Sequence, residues 1–163
     1  MTLRFSLALL CCALYFFSSG QTNKNLPDVS LENLSGESIS IVSQIQPEGP
    51  TIISFWATWC KPCILELSEM HDLYEDWKDE TNVKIIAVSI DDSRSSNKVK
   101  AFANGRGWDF DILLDKNSDL KRALNINNVP YTLIIDPSGE IVYERNGYIP
   151  GDEEIVYQRL LNQ

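Results

Sequence analysis

Two cysteines three residues apart carry the clearest chemistry in this chain: Cys60 and Cys63, in the run Cys60-Lys61-Pro62-Cys63. A compact apolar run, Thr51 to Trp56 (TIISFW), leads through Ala57-Thr58-Trp59 into a helical segment, which sets Cys60 at the helix mouth. The first N–H groups of a helix have no internal partner, so a thiolate there is stabilised and its pKa lowered. That makes Cys60 the attacking sulfur near neutral pH. Lys61 adds a nearby positive charge, and Pro62 has no N–H to lose in a first helical turn. Cys63 is near enough to close a disulfide. One sulfur to attack and a second to resolve the mixed disulfide is the arrangement that thiol–disulfide exchange needs. Zinc is disfavoured, because the chain has one histidine, His71, and, after its first twenty residues, no second cysteine pair beside this one. A purely structural disulfide over so short a loop would remove little unfolded-state entropy.

These residues need a scaffold, and the chain has the material for one. Its 163 residues are 44% hydrophobic and 23% charged, the composition of one globular domain. The formal charge of -9 disfavours a nucleic-acid partner, since an acidic surface repels phosphate. Short alternating runs at Val29–Leu31 and Ser38–Val42 flank Asn33-Leu34-Ser35-Gly36, a hairpin signal. TIISFW and Val83–Ile90 read as buried strands. Between them, Pro62 to about Asp79 is helical, with Ile64, Leu67, Met70, Leu73 or Tyr74, and Trp77 on one face. A short helix (Ser95–Gly105), a strand (Phe110–Leu114) and another short helix (Asp119–Leu124) follow. Tyr131–Asp136 and Ile141–Arg145 form an antiparallel hairpin around Asp136-Pro137-Ser138-Gly139. Asp152–Asn162 is a last amphipathic helix, with Ile155, Val156, Arg159 and Leu160 around it and acids in its first turn. The order of elements implies an α/β layered fold.

The first twenty residues, MTLRFSLALLCCALYFFSSG, have a short positive start, an apolar run from Leu7 to Phe17 and a small-residue end. That is the layout of a secretory signal peptide, with residues 21–163 as the domain it exports. Retention as a membrane anchor and lipidation at Cys11 or Cys12 are the alternatives. Removal would leave Cys60 and Cys63 as the only cysteines.

The segment SFWATWCKPC is similar to the active-site segment of the thioredoxin superfamily. With the leader, the C-x-P-C-x-x-E pattern from Cys60 to Glu66, NNVPYTLIIDPSGEI (Asn127 to Ile141) and LPDVSLENLSGESISI (Leu26 to Ile41), the mature chain resembles the TlpA/ResA-like exported thiol–disulfide oxidoreductases of bacteria. The resemblance implies a thioredoxin fold: a central mixed sheet flanked by helices, with an N-terminal β-hairpin extension. It implies Cys60 as nucleophile, Cys63 as resolving thiol and Pro130 as a cis-proline facing the pair. A cis bond there would bring Val129 beside Cys60, where its backbone would pair with an extended substrate segment. Trp56 and Trp59 match aromatic residues flanking the pair, with roles in packing or, for Trp59 above all, in substrate contact. Glu66 matches an acidic residue near the cysteines, three positions past Cys63 and so on the same side of the helix. A partly buried carboxylate there could shuttle protons and raise the cysteine pKa values, whereas the bland alternative is an exposed helix glutamate. No cofactor is implied. The implied partners are protein disulfides, apocytochrome c cysteines among them, and a membrane thiol-relay protein as electron donor. The setting is the periplasm or cell-envelope exterior, and the protein is expected to be a monomer.

The chain departs from the pattern where cytosolic thioredoxins carry a buried Asp, since Ser54 stands there; this favours Glu66 as proton acceptor. Ser68 replaces a proline often found in the helix, and a proline often found after Trp108 is missing. His71 reads as a solvated helix residue. Two other function classes compete with exchange. A thiol peroxidase of the peroxiredoxin type would need a Pro and a Thr or Ser where Ile53 and Ala57 stand. A binding module with an inert disulfide would need no chemistry from the pair.

Overall fold

A computed structural model describes residues 24–163; the proposed leader, with Cys11 and Cys12, lies outside the described residues. In chain order the elements are β1 (Ser30–Asn33), β2 (Ser38–Ser40), a 3-10 turn (Val42–Gln44), β3 (Thr51–Trp56), α1 (Lys61–Thr81), β4 (Lys84–Ser89), α2 (Asn97–Asn104), β5 (Asp111–Leu114), α3 (Asp119–Ala123), β6 (Tyr131–Ile135), β7 (Ile141–Asn146) and α4 (Asp152–Leu160). The strands form one mixed sheet in the order β2-β1-β5-β4-β3-β6-β7. β3, β4 and β5 run parallel, joined by crossovers that contain α1 and α2. The outer strands pair antiparallel, β1 on β5 with β2 outside it, and β6 on β3 with β7 outside it.

Local chemistry accounts for these elements. β3 is buried along its whole length and β4 along nearly all of it, as central parallel strands covered on both faces must be. The turn between β6 and β7 is organised by Asp136, whose Oδ1 accepts the N–H groups of Ser138 and Glu140, each at 2.9 Å. Asn33 does the same for the β1–β2 turn, accepting from Ser35 and Glu37 at 2.9 Å each.

Alternation along the strands divides the core in two. Ile52 and Trp56 of β3 join Ile85, Ile134 and the inner face of α1 in one cluster. Ile53 and Phe55 join Ile86, Val88, Leu113, Leu133 and Leu120 in the other. The expected stripe on α1 is shifted. Leu67, Met70 and Trp77 are buried as anticipated, but the stripe also takes in Cys63 and Glu66, and Ile64 is only half-buried. On α4, Val156 and Leu160 face the core while Ile155 is exposed, and Arg159 lies over the Tyr143 ring at 5.5 Å. In both helices the spacing identifies a face, and the neighbouring sheet decides where that face is centred.

Candidate active site

β3 delivers the chain to the cysteine pair. After Trp56, a turn closes with the Cys60 N–H donating to the Ala57 carbonyl at 3.0 Å, and α1 starts at the next residue. Cys60 is the N-cap of that helix, with extended backbone angles (φ -90°, ψ 95°), and its Sγ accepts the Cys63 N–H at 3.3 Å. The cap therefore does with sulfur what Ser or Asp does with oxygen elsewhere. Cys60 and Cys63 are joined in a disulfide with their Cα atoms 5.3 Å apart. The pair is asymmetric: Cys60 retains 6% exposure and Cys63 none. Lys61 and Pro62 are exposed on the rim.

The two flanking tryptophans divide their roles. Trp56 is fully buried and packs edge-on to Trp108, with ring centroids 5.1 Å apart. Trp59 is 67% exposed beside the pair. The Val129–Pro130 peptide is cis. Pro130 is buried and its carbonyl accepts the Gly147 N–H at 2.8 Å, while half-buried Val129 packs against the cluster that contains both cysteines.

Glu66 is the unusual charge. It is one turn into α1 beyond Cys63 and only 2% exposed. Ser54 and Thr132 are registered partners on β3 and β6, so their hydroxyls emerge side by side on the face that α1 covers. The Thr132 hydroxyl donates to Glu66 Oε1 at 2.7 Å and the Ser54 hydroxyl to Oε2 at 3.1 Å. Thr132 is registered in turn with Arg145 on β7, which forms an ion pair with buried Asp152 at the start of α4. Burial pushes the Glu66 carboxyl up from its ordinary 4.5 to about 7; the Thr132 and Ser54 bonds pull it back, Asp152 pushes it further up and Arg145 pulls it down. A carboxyl pushed up to about 7 is matched to taking a proton from a thiol near neutral pH.

The comparisons with known proteins fit this site. Residues 22–144 match the AhpC/TSA family. The chain belongs to that family. The chain is 36% identical over 122 residues to the thioredoxin-like protein YneN of Bacillus subtilis (strain 168), covering 74% of this chain and 69% of that protein. It is 37% identical over 118 residues to the thiol-disulfide oxidoreductase ResA of Oceanobacillus iheyensis, covering 71% of this chain but 59% of that protein. An uncharacterized thioredoxin-like protein from Porphyromonas gingivalis, known as a solution structure, superposes with a TM-score of 0.76 at 43% identity, covering 86% of this chain and 93% of that one. A putative thiol:disulfide interchange protein DsbE from Chlorobium tepidum shares the fold, with a TM-score of 0.75 at 21% identity. The chain is thus a thioredoxin-like relative of the ResA thiol–disulfide oxidoreductases, with a cysteine pair that caps α1.

This AhpC/TSA member has apolar residues at the positions a peroxidase would use. Ile53 lies fully buried in the core on the far side of the sheet, and Ala57 is fully buried below the pair. His71 departs from expectation: it is half-buried, packs edge-on to Phe110, and has Nδ1 3.1 Å from Asp109. Two residues of the site escaped the sequence reading. Thr132 stands out only as a hydroxyl inside an apolar strand. Asp91 is an acid just beyond the C-terminal end of a central parallel strand, where α/β folds place their sites; it is fully buried and bound to Thr58.

Proposed function

We propose that this protein reduces protein disulfides outside the cytoplasm through a Cys60–Cys63 dithiol/disulfide cycle. The Cys60 thiolate attacks one sulfur of the substrate disulfide, forming a mixed disulfide and releasing the other substrate sulfur as a thiolate. Cys63 then loses its proton and attacks Cys60, closing the Cys60–Cys63 disulfide and releasing the second substrate thiolate. The substrate gains two electrons and the pair loses two. Glu66, as carboxylate, takes the Cys63 proton. A membrane thiol-relay protein restores the dithiol, and the cysteines of apocytochrome c are among the substrates such chemistry serves. Val129, set beside the pair by the bond to Pro130, offers backbone to an extended substrate segment, and Trp59 covers it.

The observation that carries this reading is the asymmetry of the pair at the mouth of α1: Cys60 caps the helix and keeps some access, while Cys63 is closed off above Glu66's turn. A helix N-terminus favours the thiolate on the accessible sulfur. An oxidising compartment works against a reductase, so the direction requires that external donor. The decisive measurement is the reduction potential of the pair, by equilibration in thiol buffers followed by alkylation. A value near or below about -250 mV supports a reductase; one near about -120 mV makes the protein a disulfide donor and overturns the direction.

A further inference from the structure

Asp91 is a buried carboxylate for which the exchange cycle has no use. It lies just past β4 and is fully buried. Its Oδ1 accepts the Thr58 hydroxyl at 2.7 Å. Its Oδ2 accepts the Thr58 N–H at 2.9 Å and the Ser89 hydroxyl at 2.8 Å. The Ser89 hydroxyl accepts the Asp91 N–H at 3.1 Å, which fixes the carboxylate's own backbone. Leaving such a group in the interior without donors is strongly unfavourable, so three donors converging on it represent a built contact.

The place of this contact gives it meaning. Trp56, the last residue of β3, is registered with Ser89 of β4, and the Ile90 N–H extends the ladder by donating to the Trp56 carbonyl at 2.9 Å. Beyond that point the two strands part. Asp91 then takes hold of the β3 side again, two residues further on, at Thr58. The held segment is the turn Ala57–Cys60 that ends in the helix cap. In the oxidised protein the disulfide itself restrains Cys60. In the dithiol, the form that attacks, that crosslink is gone, and the upstream side of Cys60 is held by its turn and by the Thr58–Asp91 contact.

We propose that Asp91 is a positioning residue for disulfide exchange: through Thr58 it fixes the turn that aims the Cys60 sulfur at the incoming disulfide. This rests on Cys60 being the nucleophile. Attack on a disulfide requires the three sulfurs to approach a line, and displacement of a reacting group by about 1 Å can cost a hundredfold in rate. A loosened turn therefore slows the attack without emptying the substrate site.

The test is single-turnover oxidation of the reduced protein by excess insulin, read as a plateau rate and a half-saturating concentration. Asp91→Asn cannot accept from both the Thr58 N–H and hydroxyl while also accepting from Ser89, and Thr58→Val loses the hydroxyl. Each is expected to lower the plateau rate about tenfold, with half-saturation within about threefold of wild type. The double variant is expected to be no slower than the worse single variant by more than about twofold, because the two residues act as one contact. Thr58→Ser keeps the hydroxyl and restores the rate. If the variants melt earlier but keep the wild-type plateau rate, or if their losses multiply, the positioning role is overturned. Should Asp91→Asn fail to fold, the contrast between Thr58→Val and Thr58→Ser decides alone. A wild-type protein that leaves insulin unreduced overturns the proposed function and this role together; active wild type with unaffected variants overturns only the role of Asp91.

Discussion

Along β3, Ile53 and Phe55 turn to one face of the sheet, and Ile52, Ser54 and Trp56 to the other. The first face is closed by Ile86, Val88, Leu113, Leu133 and Leu120, all apolar. The second lies under α1 and buries polar groups together: Ser54, Thr132 and Glu66, with the Arg145–Asp152 pair beyond them. One face holds the fold together by area removed from water. The other gives up some of that stability to keep a titrating carboxyl against the helix that bears the cysteines. Because the Glu66 pKa in the folded state, about 7, lies above its ordinary 4.5, the folded protein binds more protons than the unfolded chain between those values. The Glu66 contribution to stability is therefore fully present below the lower value and falls as pH rises, by roughly 3 kcal/mol once the upper one is passed. The apolar face contributes no such slope.

Substitutions on the two faces should separate these functions, and the largest contrast pairs Cys60 with Phe55. Cys60→Ser removes the nucleophile and is expected to abolish insulin reduction, by about a thousandfold or more, with the melting temperature of the reduced protein nearly unchanged. Phe55→Ala empties fully buried volume and is expected to cost about 3–5 kcal/mol in urea unfolding, with the plateau rate per folded molecule within about twofold of wild type. If Phe55→Ala slowed exchange as much as it destabilised, the faces would be mechanically coupled and the division would fail.

Glu66→Gln is the next step down. The amide can take the place of the carboxyl against Thr132 and Ser54 without ever carrying charge. At pH 8 the variant is expected to be more stable than wild type by up to about 3 kcal/mol, and at pH 4 to differ little, because wild-type Glu66 is then protonated. Its resolving step is expected to slow by about tenfold to a hundredfold above neutrality, where wild-type Glu66 is ionised and accepts the Cys63 proton. The wild-type rate should rise with pH through about 7, and the variant should lose that rise. Stability and rate moving in opposite directions at pH 8 would mark a group kept for chemistry.

Much of the frame behind this contrast was legible in the residues. β3 coincides with TIISFW because a strand buried on both faces is an unbroken apolar run. The β6–β7 turn was readable because Asp136 organises it through residues two and four positions away. What escaped was set by neighbours distant in sequence. Thr58 and Asp91 are 33 positions apart and Glu66 and Thr132 are 66 apart. Helical spacing placed Glu66 on the side of Cys63 and favoured a partly buried carboxyl, yet it left an exposed one open. Only the register of β3 against β6 puts Ser54 and Thr132 together beneath that side. The tryptophans make the same point. Trp56 and Trp59 flank the pair alike in sequence, and the last residue of a strand and the middle of a turn have different surroundings.

The smallest expected effect tests that register directly. Thr132→Val keeps shape and β-propensity but removes the shorter of the two hydrogen bonds to Glu66, 2.7 Å against 3.1 Å from Ser54. The lost donor favoured the carboxylate, so the Glu66 pKa should move further up. The midpoint of the pH–rate profile is then expected about one unit higher than in wild type, the lower end of what a hydrogen bond to a charged group is worth. Ser54→Ala, losing the longer bond, should shift it in the same direction by less. A neighbouring change on the other face, Leu133→Met, should leave the midpoint where it is and cost less than about 1.5 kcal/mol in stability. Equal shifts from Thr132→Val and Leu133→Met would mean that Glu66 responds to general loosening of β6. A shift confined to Thr132 and Ser54 would mean that two hydroxyls on adjacent strands tune a proton site in an otherwise apolar layer.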